Sequence, residues 1–223
     1  MLGHRITPEG IFPDESKFDS IKNFPQPKCR KDVRRFLGLT GYYRKFIKDY
    51  GIIAKPLTAL TSINKKFEWT QQHQIAFDVL KEKLINPPVL AYPDFNLPFR
   101  LNCDASGTGI SGVLSQVQEG KERQIAYGSR ALTERERIAS LYSSTEKELL
   151  AIVWTVKHFR QYLYGKPFEV FTDNKALIHL NSMANENSRI MKYKFDLREV
   201  KMTVNVFSTF RQVLLSSSGD SKS

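Results

Sequence analysis

Asp104, Glu148 and Asp173 are the side chains of this 223-residue chain whose types and placement best suit chemistry. Phe99, Leu101 and Cys103 alternate with Arg100, Asn102 and Asp104, the period-two pattern of a strand, so Asp104 stands at a strand end. Phe168, Val170 and Thr172 alternate in the same way with Glu169, Phe171 and Asp173, which ends a second strand. Glu148 lies between them in sequence, in the first turn of a helix. In an α/β layer such ends can converge. Converging carboxylate oxygens suit Mg²⁺, which takes octahedral oxygen ligands and shares its shell with water and phosphates. Two such ions can activate a water and stabilise the leaving oxygen of a phosphodiester. Each residue also has a plain structural reading. Thr145 and Glu148 fit a capping box, Asp104 can open a turn before Ala105-Ser106-Gly107, and Asp173 can cap the helix after it.

The elements that must position these residues follow from periodicity and punctuation. Residues 1 to about 13 carry no cap or long periodic run. A short helix is expected from Pro13 to about Phe24, capped by Asp14 or Ser16 and ended by Pro25 and Pro27. Val33, Phe36, Leu37 and Thr40 then repeat at helical spacing, as do Ala76, Val79, Leu80 and Leu84 after a Thr70 cap. Residues 14 to 86 thus read as a helical unit. After Pro98 the pattern turns to strands, with 109–117 and 124–130 joined across Gln118-Glu119-Gly120-Lys121 as a hairpin. Leu149, Ile152, Val153, Val156, Phe159 and Leu163 form one long core helix, closed by Gly165 and Pro167. Helices are expected at about 174–180 and 189–200. The order is β, β, β, α, β, α, and the Ser-rich end from Ser216 is expected to fray.

Lys and Arg number 34 against 23 Asp and Glu, a formal charge of +11, which favours a polyanionic partner. Lys28, Arg30, Lys31, Arg34, Arg35, Arg44, Lys45 and Lys48 fall within one 21-residue stretch, although this can equally be the solvated face of an amphipathic helix. Cys29 and Cys103 lack metal-site spacing and read as reduced thiols of an intracellular, cytoplasmic or nuclear protein. No run approaches the roughly 18 apolar residues of a membrane span.

The segments LNCDASGTGISGVLSQ, SSTEKELLAIVW and FRQYLYGKPFEVFTDNKAL resemble the ribonuclease H domain of gypsy-type LTR retrotransposon Pol polyproteins. FLGLTGYYRKFI, PLTAL, FEWTQQHQIAFDVLKEKL and PPVLAYPDFNLPF resemble the reverse transcriptase thumb and connection of the same family, and MLGHRIT its primer grip. The resemblance covers about residues 1 to 206. It implies an α/β fold, a ribonuclease H-like mixed sheet with flanking helices preceded by a small helical thumb/connection region. The implied divisions are 1–13 (end of the palm), 14–90 (thumb/connection), 91–215 (ribonuclease H-like) and a frayed 216–223. It makes Asp104, Glu148 and Asp173 the catalytic, metal-binding carboxylates for Mg²⁺ or Mn²⁺. Glu146 is then the alternative to Glu148, expected as a solvated first-turn carboxylate favoured by the helix dipole. The implied partners are an RNA-DNA hybrid or other nucleic acid and the remainder of a Pol polyprotein, with no membrane.

Three departures from the family stand out. The fourth aspartate, usually in a pattern like N-x-x-A-D-x-L-S-R, has no counterpart, and the chain instead runs STFRQVLLSSSGDSKS, where Asp220 lacks a helix signal. Asn174 follows Asp173 where the family commonly has His. No Asp-Asp pair occurs, so the polymerase Y-x-D-D is not on this chain. His4, His73, His158 and His179 read as packing or surface residues. The expected activity is hydrolysis of the RNA strand of RNA-DNA hybrids. The alternative is a catalytically impaired nucleic-acid-binding remnant lacking the fourth carboxylate.

Overall fold

The computed structural model describes residues 3–14, 18–64, 66–138, 142–174, 188–198 and 200–206. The expected helix over 174–180, His179, Ser16 and Asp220 fall outside them.

Two hydrophobic cores divide the chain. The first gathers Ile21, Val33, Phe36, Phe46, Leu57, Phe77, Leu80 and Leu84 from short helices. These are α1 (Phe18–Lys22), α2 (Arg30–Tyr42), α3 (Tyr50–Ile53), α4 (Lys55–Leu60) and α5 (Gln71–Ile85), with a 3-10 turn at Arg44–Phe46. Val33, Phe36 and Thr40 form the buried stripe of α2, as their spacing predicts. The basic face of that helix is not all solvated. Arg30 Nε donates to the Ser62 carbonyl at 3.1 Å and Arg34 to the Thr61 carbonyl at 2.9 Å, where the orphan carbonyls and negative dipole end of α4 favour cations. Ahead of the helices, β1 (His4–Thr7) and β2 (Gly10–Pro13) form an antiparallel hairpin, and Ile11 bridges to Leu90. Sequence patterning gave no sign of this hairpin, because each strand is only four residues long.

The second core belongs to a five-stranded mixed sheet. Its strands β3 (Phe99–Ala105), β4 (Gly109–Gln118), β5 (Lys121–Ala131), β6 (Phe168–Thr172) and β7 (Met202–Val206) lie in the order β5-β4-β3-β6-β7. The first three are antiparallel, while β6 runs parallel to both β3 and β7. Glu119 and Gly120 both take positive φ at the β4–β5 turn, the geometry of a tight hairpin connection. The remaining helices are α6 (Glu134–Arg137), α7 (Ser144–His158), α8 (Arg160–Leu163) and α9 (Ser188–Leu197). The single helix expected through Leu163 is interrupted at Phe159, whose φ of −96° and ψ of 16° leave the helical range. Its ring is buried in the core, and α8 continues beyond it.

How α7 sits on the sheet follows from two glycines. Cys103 of β3 pairs with Gly112 of β4, which pairs with Gly128 of β5, so the two glycines lie in one transverse row. A Cβ at Gly112 would fall 2.1 Å from Thr155 Cγ2, and one at Gly128 would fall 2.6 Å from His158 Cδ2. The missing side chains let α7 lie close against the strands, as glycines inside strands commonly permit. Leu149, Ile152 and Val156 are buried beneath it, each contributing about 1.5–3 kcal/mol. No helix among the described residues is long and apolar enough to cross a membrane.

Gly112→Ala is expected to destabilise the chain by about 1–3 kcal/mol through overpacking. Thr155→Ala in the same chain should recover part of the loss in a denaturant double-mutant cycle. Simple additivity of the two substitutions would argue against the close approach as the cause.

Candidate functional site

The register of β3 and β6 brings two of the three carboxylates side by side. Phe99 pairs with Phe168 and Asn102 with Phe171; Asp104 and Asp173 each lie two residues beyond that last pair, at the carboxyl ends of parallel strands, where the Asp173 charge acts on Asp104. Arg100 and Glu169 face each other in that register and form a 3.0 Å ion pair that resists slippage. Ligand sites in α/β sheets gather at such strand ends. Glu148 comes from α7, which packs on β3 and β4. It is the fifth residue of the helix, one turn in from its start.

The three acids feel one another. Burial pushes the Glu148 carboxyl up from 4.5 to about 7, and the Asp173 and Asp104 charges add to it. Asp104 is raised as well, by burial first and then by Asp173 and Asp49, while the nearby Lys48 pulls it down. The Ala105 amide supports both Asp104 and Glu148 by hydrogen bonding. Glu148 is 5% exposed, and its Oε2 has no hydrogen-bond partner among the described residues. A buried carboxylate oxygen with no donor to its lone pairs, beside two like charges, is costly. A divalent cation would relieve both the repulsion and the missing bond, so the donor set fits one. Among the described residues no three His, Cys, Asp or Glu side chains close into a ligand cage. Asp173 and Asp104 act on Glu148 electrostatically without the three closing into such a cage.

Glu146 corrects one expectation. It is not solvated but 5% exposed. Its Oε2 accepts the Ser143 N–H at 2.7 Å, its own N–H donates to Ser143 Oγ at 3.2 Å, and Arg189 Nε donates to its Oε1 at 2.9 Å. The capping box is therefore Ser143–Glu146, one residue pair earlier than Thr145–Glu148. That removes the capping role available to Glu148 and leaves its Oε2 without a partner among the described residues. Asn174 donates through Nδ2 to Thr145 Oγ1 at 3.3 Å and through its backbone N–H to Thr172 Oγ1 at 3.2 Å. It thereby ties the end of β6 to the start of α7. Cys29 and Cys103 are free thiols, and burial pushes Cys103 up to about 12, which makes it inert.

Lys48 and Asp49 are the neighbours that sequence reasoning missed. Gly51 N–H donates to Ser129 Oγ at 2.8 Å, and a Cβ at Gly51 would fall 2.6 Å from the Ser129 carbonyl oxygen. This contact presses α3 onto β5. Ser129 pairs with Ser111, and Ser111 with Asp104, so the docked segment continues the row that ends on the carboxylates. Asp49 has φ 64° and a buried Oδ1 with no partner among the described residues. An Asp two residues before a Gly is a turn signal, but nothing local reports a contact across 55 residues of chain.

Because the Glu148 carboxyl is raised in the folded state, its protonated form adds stability that is complete below pH 4.5 and is lost as pH rises through about 7. Glu148→Gln in metal-free buffer should flatten that fall. At pH above this window the variant should be the more stable by about 1–3 kcal/mol in urea melts. An unchanged pH slope would assign the titration to another group.

Residues 69–170 match the family model described as an RNase H-like domain found in reverse transcriptase. The chain is 44% identical over 203 residues to the retrovirus-related Pol polyprotein from transposon 412 of Drosophila melanogaster, covering 91% of this chain and 16% of that protein. It is 38% identical over 206 residues to the Pol polyprotein from transposon gypsy of the same organism, covering 86% and 19%. The chain thus spans less than a quarter of these relatives' length. Among solved structures, the foamy viral protease-reverse transcriptase in complex with RNA/DNA hybrid superposes with a TM-score of 0.77 at 24% identity, over 94% of this chain and 29% of that one. That likeness carries the fold. The strand order, the helix seated on it and the sequence kinship agree: the chain carries an RNase H-like domain of the reverse transcriptase kind and is similar to retrotransposon Pol polyproteins.

Proposed function

We propose that this chain hydrolyses the RNA strand of RNA-DNA hybrids, with Mg²⁺ or Mn²⁺ held by Asp104, Glu148 and Asp173. The observation that carries the reading is the buried, unpartnered Glu148 Oε2 in electrostatic contact with the two strand-end aspartates. Glu148 and Asp104, both raised by burial and by neighbouring carboxylates, would be relieved by a bound cation, and perturbed carboxylates of this kind mark functional sites. The fold-level relative bound to an RNA/DNA hybrid supports the choice of substrate.

In this reading the strand ends fix Asp104 and Asp173 one strand spacing apart, roughly 4.8 Å, and each offers oxygens on the solvent side. Glu148 brings a third carboxylate from the partly dry side, where a weaker dielectric strengthens its grip on a cation. The bound ions would lower the pKa of a coordinated water and stabilise the leaving oxygen. Asn174, by joining β6 to α7, holds the spacing among the three. Lys48, whose charge acts on Asp104, would suit a substrate phosphate beside it. Recognition of RNA would rest on helix shape and 2′-hydroxyls, with little dependence on base sequence. The helical portion, residues 14–90, would serve as thumb and connection and residues 1–13 as the end of the palm; the separate cores on either side of residue 90 support that division. The rest of a Pol polyprotein would then be the natural partner.

Incubation with a labelled RNA-DNA hybrid in Mg²⁺ or Mn²⁺ tests the reading. The chain should cleave only the RNA strand, and Asp104→Asn should lower the rate by about 100-fold or more while hybrid binding stays within about threefold. Binding without cleavage by the unaltered chain would overturn the nuclease. Equal cleavage by both proteins would remove Asp104 from the chemistry.

A further inference from the structure

A second candidate site lies well away from the carboxylates. A cavity of about 730 Å³ opens between the helical portion and the sheet, with Arg44 and Lys45 on one wall and Tyr127, Trp154, Lys157 and His158 on the other. Among the described residues no carboxylate lines it. Lys157 is tied to Asp196 at 2.8 Å and Arg130, also on the wall, to Glu136 at 2.8 Å. Arg44 and Lys45 have no ion pair among the described residues. The Lys45 ammonium lies 5.2 Å from the Phe46 ring centroid, and burial holds it below its ordinary range. A half-buried cation without an anion is electrostatically incomplete.

The opposite wall is aromatic and rigid. Trp154 and His158 stack with ring centroids 4.7 Å apart at an interplanar angle of 17°. His158 is seated over Gly128, where even a Cβ would collide with it, so the shelf is fixed to the sheet. Burial and the Arg44 charge keep His158 toward its neutral form. The cavity has the size of a small-ligand site. Uncompensated cations beside an aromatic face are the combination that holds a phosphate and stacks an exposed base. Bases inside a duplex have both faces covered, so only an unpaired nucleotide can use both walls. His158 lies ten residues from Glu148 along α7, roughly 15 Å, or about four base-pair steps.

We propose that this cleft binds one unpaired nucleotide of a strand flanking a hybrid, with its phosphate on Arg44 and Lys45 and its base against the Trp154–His158 shelf. The proposal rests on the reading of the chain as one that acts on hybrids, and it adds a subsite for their single-stranded extensions.

The test uses the full chain in metal-free buffer, with fluorescence anisotropy on a blunt RNA-DNA hybrid and on the same hybrid carrying a short oligothymidylate extension of its DNA strand. The extension should tighten binding roughly tenfold. It should also quench tryptophan emission in the unaltered chain. In the double variant Arg44→Ala/Lys45→Ala the tenfold gain should vanish, while blunt-hybrid affinity changes less than about threefold. No gain in the unaltered chain, or a gain kept by the double variant, would overturn the subsite. If the double variant does not fold, quenching of the unaltered chain by the extended hybrid and not by the blunt one decides alone, and absence of quenching overturns it. Cleavage of the blunt hybrid in a separate reaction with Mg²⁺ or Mn²⁺ reads the carboxylates independently, so an extension-dependent gain in binding without cleavage in that reaction would sink the nuclease and leave this site standing.

Discussion

The close approach of α7 to the sheet at Gly112 and Gly128 is the contact on which the other features depend. Thr155 fits into the space that a side chain at Gly112 would occupy, and His158 into that at Gly128. Packed interiors tolerate little change of volume, so this seat fixes the height and direction of the helix. Glu148 lies seven residues before Thr155, two turns along the same face, and its position is set by that seat. One residue beyond the glycine row comes the row of Asp104, Ser111 and Ser129, on which α3 docks through Gly51. The aromatic shelf of the cleft has the same origin, because His158 rests on Gly128.

The electrostatics follow from this packing. Helix and sheet are close enough to bury Glu148 beside two aspartates and to deny one of its oxygens a partner. Folding therefore works against charge repulsion at one point and is compensated by the apolar contacts of Leu149, Ile152 and Val156. Glu146, equally buried, is in the opposite condition, with Ser143 and Arg189 satisfying it. Two glutamates two residues apart on one helix thus take unlike roles because one faces a cap and a cation while the other faces carboxylates. Natural proteins accept such local cost mainly where a site needs it.

Much of this was legible in the sequence. Period-two alternation placed Asp104 and Asp173 at strand ends, the apolar stripe after Glu148 marked α7, and Gln118-Glu119-Gly120-Lys121 marked the β4–β5 turn. Motif resemblance supplied the mixed sheet with flanking helices that periodicity cannot. What escaped was non-local. The hairpin at His4–Pro13 is too short to show a period. The identity of the capping glutamate depended on whether Ser143 or Thr145 ended up outside the helix, and Glu146 is further held by Arg189 from far along the chain. The electrostatic influence of Lys48 and Asp49 on Asp104 depends on how two cores dock, which no local pattern encodes. The break at Phe159 is likewise a packing outcome within a run whose apolar spacing continues unbroken to Leu163.

The central claim is that Asp104, Glu148 and Asp173 are arranged to share divalent metal. Crystals of the full chain grown with Mn²⁺ and measured at the manganese absorption edge test it most directly. The account predicts one or two anomalous peaks at about 2.1 Å from oxygens of all three side chains, a pair lying roughly 4 Å apart. Ordered carboxylates with no peak among them, or a peak bound only by other residues, would contradict it.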